Sequence, residues 1–177
     1  MIPYCEKISG KLCFLRPMDR TDVFKWTTWF NDKDVLKYSV HRTNQTDESK
    51  QSTYFEENNK SSTKIQFAVC SSNGILIGII SIQFQDERLK AGDISIIIGE
   101  KDYWGKGIAT DAIHTIVEYA KTYYNTTLFT AGCDVRNKGS EKSFLKSGFK
   151  KKSILRNVIS YPDEKKKYDL VKLELKT

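Results

Sequence analysis

The alternation of apolar and polar residues predicts the first secondary-structure elements. Residues 11–16 alternate as a short strand that ends at a proline, and Thr21 with Asp22 can cap a helix that begins after them. The segment 31–64 is polar and poor in aliphatic residues, and within it Thr46 is a candidate cap for a second helix. These patterns predict a strand, a helix and then a polar, variable lobe.

The middle of the chain has the pattern of consecutive antiparallel strands. Residues 65–70 and 75–85 are rich in aliphatic and β-branched side chains, and an Asn-Gly pair between them suits the positive φ angles of a tight turn. A second turn at 86–92 leads into a strand at 93–99. We therefore expect a three-stranded meander here.

The last third of the chain alternates between helical and strand patterns. Apolar residues repeat at helical spacing over 108–124, and a strand is predicted at 127–135. A short helix at 140–147 stops before a glycine, and strands at 153–160 and 168–175 form a closing hairpin.

This order of elements fits one domain over residues 1–177, with a mixed, mostly antiparallel α/β sheet of about seven strands and helices on both faces. The composition, 39% hydrophobic and 29% charged, is typical of globular proteins. The longest apolar run is too short for a membrane span, and the first ten residues carry charges where a secretory signal would be apolar. We expect a cytoplasmic protein with no membrane contact.

Cysteine spacing and net charge limit the metal sites and binding partners that the sequence predicts. The chain has only two histidines and no C-x-x-C pair among its four cysteines, so reduced, buried thiols and no metal site are expected at Cys5, Cys13, Cys70 and Cys133. A net charge of +7 suits several anionic partners without choosing among them. The lysine runs at 150–152 and 165–167 are typical of solvated turns and lack interleaved aromatics, so no nucleic-acid partner is expected.

Candidate chemistry lies where the strand at 93–99 leads into the long helix. Gly105 and Gly107 flank Lys106 at the helix start, where free amides and the helix dipole form an anion site suited to a pyrophosphate. Glycines at this place also serve simple tight turns, so both interpretations stay open on this feature alone.

Residues 96–110, IIIGEKDYWGKGIAT, resemble the acetyl-CoA-binding motif Q/R-x-x-G-x-G/A of the GNAT acetyltransferase superfamily, with Trp104 where Gln or Arg is usual. The tryptophan form is similar to the branch of ribosomal-protein N-terminal and amino-sugar acetyltransferases. That branch also carries an asparagine after the next strand, a serine three residues on, and Gly-Phe at eleven and twelve. The spacing is matched here by Asn137, Ser140, Gly148 and Phe149.

The resemblance implies a V-shaped splay between the strands at 93–99 and 127–135, with acetyl-CoA as co-substrate. A primary amine on a small molecule or a peptide, such as an amino sugar or a protein N-terminus, would attack the thioester directly. The residues that would bind acetyl-CoA are Ile98, Gly99, Trp104, Gly105, Lys106, Gly107, Ile108, Ala109, Thr110 and Asn137.

The resemblance also suggests catalytic candidates. Asp93 lies eleven residues before Trp104, where some members place a catalytic glutamate, although it is equally typical of a turn charge. Glu100 is the second candidate base. The tyrosine that many members carry seven residues after the asparagine is replaced by Phe144, so Ser140 or solvent would protonate the departing thiolate. Asn137 would bind the pantetheine arm or simply cap its helix.

Other residues bear on the acceptor, while the rival function and the oligomeric state stay open. Trp29 with Asn31-Asp32 resembles the Trp-x-Asn-Asp stretch of some amino-sugar acetyltransferases. The helical spacing of Trp26, Trp29 and Phe30 is typical of core residues, and His114 lies on a polar helix face. The rival function is a non-catalytic acyl-CoA-binding protein of the same fold. A homodimer stays open, because a symmetric interface leaves no local sequence signature.

Overall fold

One sheet dominates the computed structural model of the chain, which describes residues 7–85 and 90–177. Its eight described strands lie in the order β1-β2-β3-β4-β5-β6-β8-β7, and every neighbouring pair is antiparallel except the parallel pair β5 and β6. The bounds are β1 (Ile8–Ser9), β2 (Cys13–Pro17), β3 (Lys64–Ser71), β4 (Leu76–Phe84), β5 (Ala91–Ile98), β6 (Leu128–Asp134), β7 (Lys150–Ser160) and β8 (Lys167–Lys176).

The fold class predicted from the sequence is confirmed, with small corrections. The two-residue strand β1 pairs with β2 and adds one strand to the seven expected. The first lysine run begins β7 instead of forming a turn. Part of the predicted turn at 86–92, residues 86–89, lies outside the described residues, as does Cys5.

All four predicted helices are present: α1 (Val23–Phe30), α2 (Glu48–Lys60), α3 (Ile108–Tyr124) and α4 (Lys138–Lys146). Their caps differ from those expected. The side chain of Asp19 caps the short 3₁₀ turn before α1 by accepting from Thr21 N–H, and Asp47 caps α2 in place of Thr46. Both are aspartates with extended backbone, the conformation that an N-cap requires.

Helices cover both faces because alternate strand residues point to opposite sides of the sheet. In β3, Phe67 and Val69 belong to the core under α3, whereas Ala68 and Cys70 pack against Trp26 and other residues of α1 and α2. The predicted core role of Trp26 and Trp29 is confirmed, since both are buried, and Phe30 is partly buried against the same core. The thiols of Cys13, Cys70 and Cys133 are buried and unpaired, as expected.

Strands β5 and β6 diverge along most of their length. They pair over three positions, from Ala91↔Leu128 to Asp93↔Thr130. Beyond that point β5 stays paired with β4 as far as Ile98, and β6 stays paired with β8 as far as Asp134. Because each strand is held by its outer neighbour, the sheet opens as a V, and the predicted splay is confirmed.

On the sheet face where the V opens, α1 and α2 pack over β3 and β4, with Phe14 of β2 at the edge of their core. Ile94, Ile96 and Ile98 point to the core under α3, so Asp93, Ser95 and Ile97 point to the opposite face. Here this opposite side of β5 and β6 is called the open face.

Among the residues described, no helix is long and apolar enough to cross a membrane.

Candidate active site

The loop between β5 and α3 prepares an open helix start. Gly105 and Gly107 both have left-handed backbone conformations, with φ of +73° and +84°, which glycine adopts without strain. Gly107 is the N-cap of α3 and no side chain caps the first turn. The loop is exposed, so the first-turn amides and the positive end of the helix dipole are open to an anion.

Trp104 closes this loop onto β5. Its indole N–H donates to the carbonyl of Ile98 at 2.7 Å, although the side chain is 44% exposed. A glutamine or arginine at this position would have to make such a bond with a flexible side chain, whereas the indole has a single, rigid donor. Trp104 therefore orients both the end of β5 and the loop that contains Gly105 and Gly107, here called the glycine loop.

Backbone groups line the inner edges of the V. The Gly99 amide donates to Ile77 in β4 and the Val135 amide donates to Asp169 at the start of β8's paired region. Because backbone groups alternate in direction along a strand, those of Ile98 and Asp134 point the other way, into the splay. The Ile98 carbonyl accepts from Trp104 there and the Asp134 carbonyl accepts from the Asn137 amide at 2.8 Å, so the backbone amides of Ile98 and Asp134 are the groups open to a ligand. Beyond Asp93 and Thr130, no ladder bond joins β5 and β6 in the described residues. Such an edge can bind an extended chain that carries amides.

These two features fit two parts of acetyl-CoA. The uncapped helix start with its left-handed glycines fits a pyrophosphate, and the amide-lined splay beside it fits the pantetheine arm with its own amide groups. A Cβ on Gly105 would meet no atom within 4 Å, so its left-handed backbone conformation, and not internal packing, favours glycine at this position.

Asp93 lies at the inner end of the V, on the open face. The Thr130 hydroxyl donates to its carboxylate at 2.6 Å across the last paired position of β5 and β6. Burial raises the pKa of Asp93, while the bond from Thr130 and the charge of Lys172 oppose that rise. Asp93 is about 16 Å along the strand from Ile98, so it can act only on a group that reaches deep into the splay.

Glu100 is held by α1. Its carboxylate contacts the Lys25 ammonium at 3.0 Å and accepts from the indole N–H of Trp29 at 3.2 Å. The same indole lies on Gly99, where a Cβ would overlap it. Gly99 is thus required for packing against Trp29, and Glu100 is already in an ion pair, which is a weaker position for a base than that of Asp93.

The start of α4 carries the asparagine of the second motif. Asn137 caps the helix, since its side-chain oxygen accepts from the Ser140 amide at 3.1 Å. The Ser140 hydroxyl interacts with the Cys133 thiol, whose pKa is raised by burial to about 11. Phe144 is buried against Phe149, with ring centroids 5.1 Å apart, so no phenol approaches the splay from this position.

Sequence reasoning missed a polar cluster at the end of β6, here called the clamp and formed by Arg42, Asp134, Arg136, Tyr161 and Glu164. Asp134 is buried, accepts from the Tyr161 hydroxyl at 2.8 Å and pairs with Arg136 at 2.7 Å. Arg42 stacks on the Tyr161 ring at 3.8 Å and pairs with Glu164. The sequence signal that could have indicated this cluster is Asp134, an acidic residue at the end of a mostly apolar strand.

The polar lobe is tied to the site by the residues that resemble amino-sugar acetyltransferases. The Asn31 side chain exchanges hydrogen bonds with the backbone of Thr46 at 2.9 and 3.1 Å. Asp32 pairs with Lys101, which precedes the glycine loop, at 2.9 Å. Both residues therefore have structural roles here and do not by themselves identify the acceptor.

The remaining candidates differ in exposure. Lys106 is exposed, with its ammonium 5.9 Å from the centre of the Tyr103 ring, whereas Ile108 is buried and anchors the helix start. Ala109 and Thr110 are half-buried in the same turn. His114 is exposed, as predicted. The described residues contain no cluster of three or more His, Cys, Asp or Glu side chains suited to a metal ion.

Comparisons with known proteins agree with this geometry. The family model for the acetyltransferase (GNAT) domain matches residues 13–150. A probable N-acetyltransferase, YjcK of Bacillus subtilis (strain 168), is 28% identical over 159 residues, which cover 84% of this chain and 86% of that protein.

Solved structures share the fold at lower identity. The ribosomal L7/L12 α-N-protein acetyltransferase RimL, in complex with coenzyme A, superposes with a TM-score of 0.86 at 15% identity, covering 97% of this chain and 98% of that one. Spermidine N-acetyltransferase from Vibrio cholerae, in complex with CoA and spermine, has a TM-score of 0.84 at 17% identity, with 93% and 95% covered.

Proposed function

The chain belongs to the GNAT acetyltransferase family, and we propose that its splay and glycine loop bind acetyl-CoA for transfer of the acetyl group to a primary amine. The observation that carries the proposal is the three-position pairing of β5 and β6 beside an uncapped helix start. Together they supply an amide-lined cleft and an anion site in one continuous surface.

Each step of the transfer then has a place in the chain. Acetyl-CoA supplies an acetyl group activated as a thioester. The first-turn amides of α3 would hold the pyrophosphate, while backbone amides at Ile98 and on β6 would orient the arm in the splay, since the Ile98 carbonyl already accepts from Trp104. Asp93 would accept the proton that the acceptor ammonium must lose before its nitrogen can bond to the acetyl carbon.

The proton for the departing thiolate must come from another group. The carbon–sulfur bond breaks as the carbon–nitrogen bond forms, and the sulfur leaves as a thiolate. Since Phe144 is apolar and buried, we assign its protonation to Ser140 or to solvent. Ser140 sits at the start of α4 beside Asn137, whose side-chain nitrogen has no hydrogen-bond partner in the described part of the chain.

The charges around the open face favour an amino sugar or a protein N-terminus over a polyamine as acceptor. A polyamine carries several ammonium groups and needs carboxylates that are not already neutralised. Here Glu100 pairs with Lys25, Asp134 with Arg136, and Glu164 with Arg42. The net charge of +7 also disfavours the approach of a polycation.

An acceptor panel tests the activity and the acceptor together. Free-thiol release from acetyl-CoA is measured with glucosamine, a short peptide with a free N-terminus, and spermidine. We expect kcat/KM for glucosamine or the peptide to exceed that for spermidine by about tenfold or more. Spermidine as the best acceptor would contradict the acceptor class, and tight CoA binding with no turnover on any amine would favour the non-catalytic alternative.

Replacing Gly107 tests the anion site. Gly107→Val places a β-branched residue at φ of +84° and a side chain in the proposed anion site of residues 105–110, here called the cradle. Calorimetry should therefore give a Kd for CoA at least about tenfold higher, about 1.4 kcal/mol. Gly74→Val is the matched control, because Gly74 has φ of +82° in a distant hairpin turn with open space around it. Equal Kd values for the two variants would remove the glycine loop from the site.

A further inference from the structure

The turn between β1 and β2 wraps around one carboxylate of α3. The amides of Lys11, Leu12 and Cys13 donate to Asp111 at 3.0, 2.8 and 3.0 Å. Three consecutive amides that converge in this way form an anion-binding concavity. Here the anion is a side chain of the same protein, 98 to 100 residues away in sequence.

Further contacts show that the β1–β2 turn packs closely around the Asp111 carboxylate. The Cys13 thiol donates to the same carboxylate at 3.3 Å, and a Cβ on Gly10 would overlap the carboxylate. The Thr115 hydroxyl donates to the Asp111 carbonyl at 2.8 Å one turn further along α3. The turn from Gly10 to Cys13 is therefore shaped around Asp111 in one position.

The direction of the Asp111 carboxylate leaves the helix start free for a ligand. An acidic side chain in the first turn of a helix is attracted by the positive end of the helix dipole, where its charge would compete with a bound anion. Asp111 donates its own amide to Gly107 at 3.0 Å, but its carboxylate accepts from another segment, and the α3 N-terminus has no side-chain cap. Four donors, the three amides and the Cys13 thiol, contact the Asp111 carboxylate, so its negative charge is compensated by the turn and does not face the cradle.

The anchored turn also lies beside the glycine loop. A terminal methyl of Leu12 lies 3.3 Å from the position that a Gly107 Cβ would take. Leu12 is 49% exposed, so packing in the core does not explain its placement. The hydrogen bonds to Asp111 hold this side chain against the one residue whose left-handed conformation begins α3.

We propose that Asp111 is a positioning residue for acetyl-CoA, which fixes the β1–β2 turn against Gly107 and so keeps the phosphate-binding cradle in shape. This inference rests on the proposed function, because it concerns the same cradle. Because the Asp111 carboxylate is engaged by the β1–β2 turn, its effect should be confined to substrates that carry the phosphates of CoA.

The test compares acetyl-CoA with S-acetylpantetheine, which lacks the phosphates, as donors for wild type and Asp111→Asn. The asparagine keeps the size of the side chain but points an NH₂ group or a weaker acceptor at three amides. We expect kcat/KM for acetyl-CoA to fall about tenfold, through KM, while that for S-acetylpantetheine changes less than about twofold. Asp169→Asn is the control, since Asp169 accepts the Asn157 amide at 2.9 Å in the β7–β8 hairpin, away from the cradle.

The outcomes separate the two proposals. Equal losses with both donors, or an unchanged KM for acetyl-CoA, would mean that Asp111 only stabilises the fold and would overturn this inference. A wild-type protein that binds no CoA would instead contradict the proposed function. If Asp111→Asn does not fold, Leu12→Ala removes the contact with Gly107 from an exposed position, and a Kd for CoA raised about threefold supports the same conclusion.

Discussion

Two carboxylates near the splay have opposite pKa shifts. Burial raises the pKa of Asp93, and Thr130 and Lys172 only partly oppose that rise. Burial also disfavours the charge of Asp134, but hydrogen bonds from Arg136 and Tyr161 outweigh it and lower the pKa. The raised pKa makes Asp93 the better candidate of the two to accept a proton, whereas the lowered pKa of Asp134 keeps it ionised.

If Asp93 is the base, Asp93→Asn should lower kcat by about 10²-fold and remove the acidic limb of the pH profile, with the Kd for CoA unchanged. Because its folded pKa is raised, the stability from this group is present below its unfolded pKa and is lost as pH rises through the folded pKa. The variant should therefore be as stable as wild type or more stable at neutral pH, by urea unfolding.

Thr130→Val is the matched control for Asp93. It keeps the carboxylate but removes the hydroxyl that donates to it at 2.6 Å, a bond that lowers the pKa. The acidic limb should move to higher pH without disappearing. An unchanged limb in both variants would assign Asp93 to the turn and leave Glu100, an ordered water or the substrate's own equilibrium to remove the proton.

At the scale of elements, the start of α4 combines a cap with a proposed ligand contact. The oxygen of Asn137 caps the helix through Ser140, and its side-chain nitrogen is available for the pantetheine arm. The two roles use different atoms. Substitutions that keep one atom and remove the other can separate them.

Asn137→Asp keeps an oxygen cap and removes the nitrogen, so the melting temperature should stay near that of wild type while kcat/KM for acetyl-CoA falls several-fold. Asn137→Ala removes both, which should add a loss of about 1 kcal/mol in stability. Wild-type kinetics in the aspartate variant, with a lowered melting temperature in the alanine variant, would leave Asn137 as a cap only.

At the scale of the whole molecule, the clamp joins three parts that are distant in sequence. The Tyr161 hydroxyl contacts Asp134 at the end of β6 and the Tyr38 carbonyl in the polar lobe, and Arg42 from that lobe stacks on its ring. Asp134 ends the strand that forms one arm of the V. The clamp therefore holds the open end of the splay and the lobe in one arrangement.

Tyr161→Phe should lower the free energy of unfolding by about 1–3 kcal/mol, because buried Asp134 loses a hydrogen bond. The folded pKa of Asp134 is depressed, so the stability from this group is present above its unfolded pKa and is lost as pH falls through the folded pKa. Urea unfolding should show the gap between variant and wild type narrowing in acid.

Tyr168→Phe is the control, since its hydroxyl contacts Glu164 instead of Asp134, and its ring keeps the stacking of Arg136 at 3.3 Å. Its effect on unfolding should be the smaller of the two. A pH-independent difference between Tyr161→Phe and wild type would show that the hydroxyl acts on packing alone.

The sequence by itself determined the order of the elements, the Asn-Gly hairpin and the glycine loop before α3. Each depends on residues a few positions apart: apolar spacing of about 3.6 or 2, and glycines such as Gly107 that take positive φ. The second motif, which includes Asn137 and Ser140, was identified through its resemblance to the family spacing, and the structure places these two residues in one turn. The predicted N-cap residues were wrong by one to three positions. Asp19 and Asp47 cap the helices, and neighbouring Thr and Asp residues have side chains equally suited to capping.

Only the tertiary structure decided which distant groups meet. Asp134 and Tyr161 are 27 residues apart, and Asp111 and Lys11 are 100 apart, so no local pattern encodes either contact. The engagement of Glu100 by α1 and the three-position register of β5 and β6 also depend on how helices and strands pack. Packing brings together side chains that the chain order separates, and the chemistry of this site arises from those pairs.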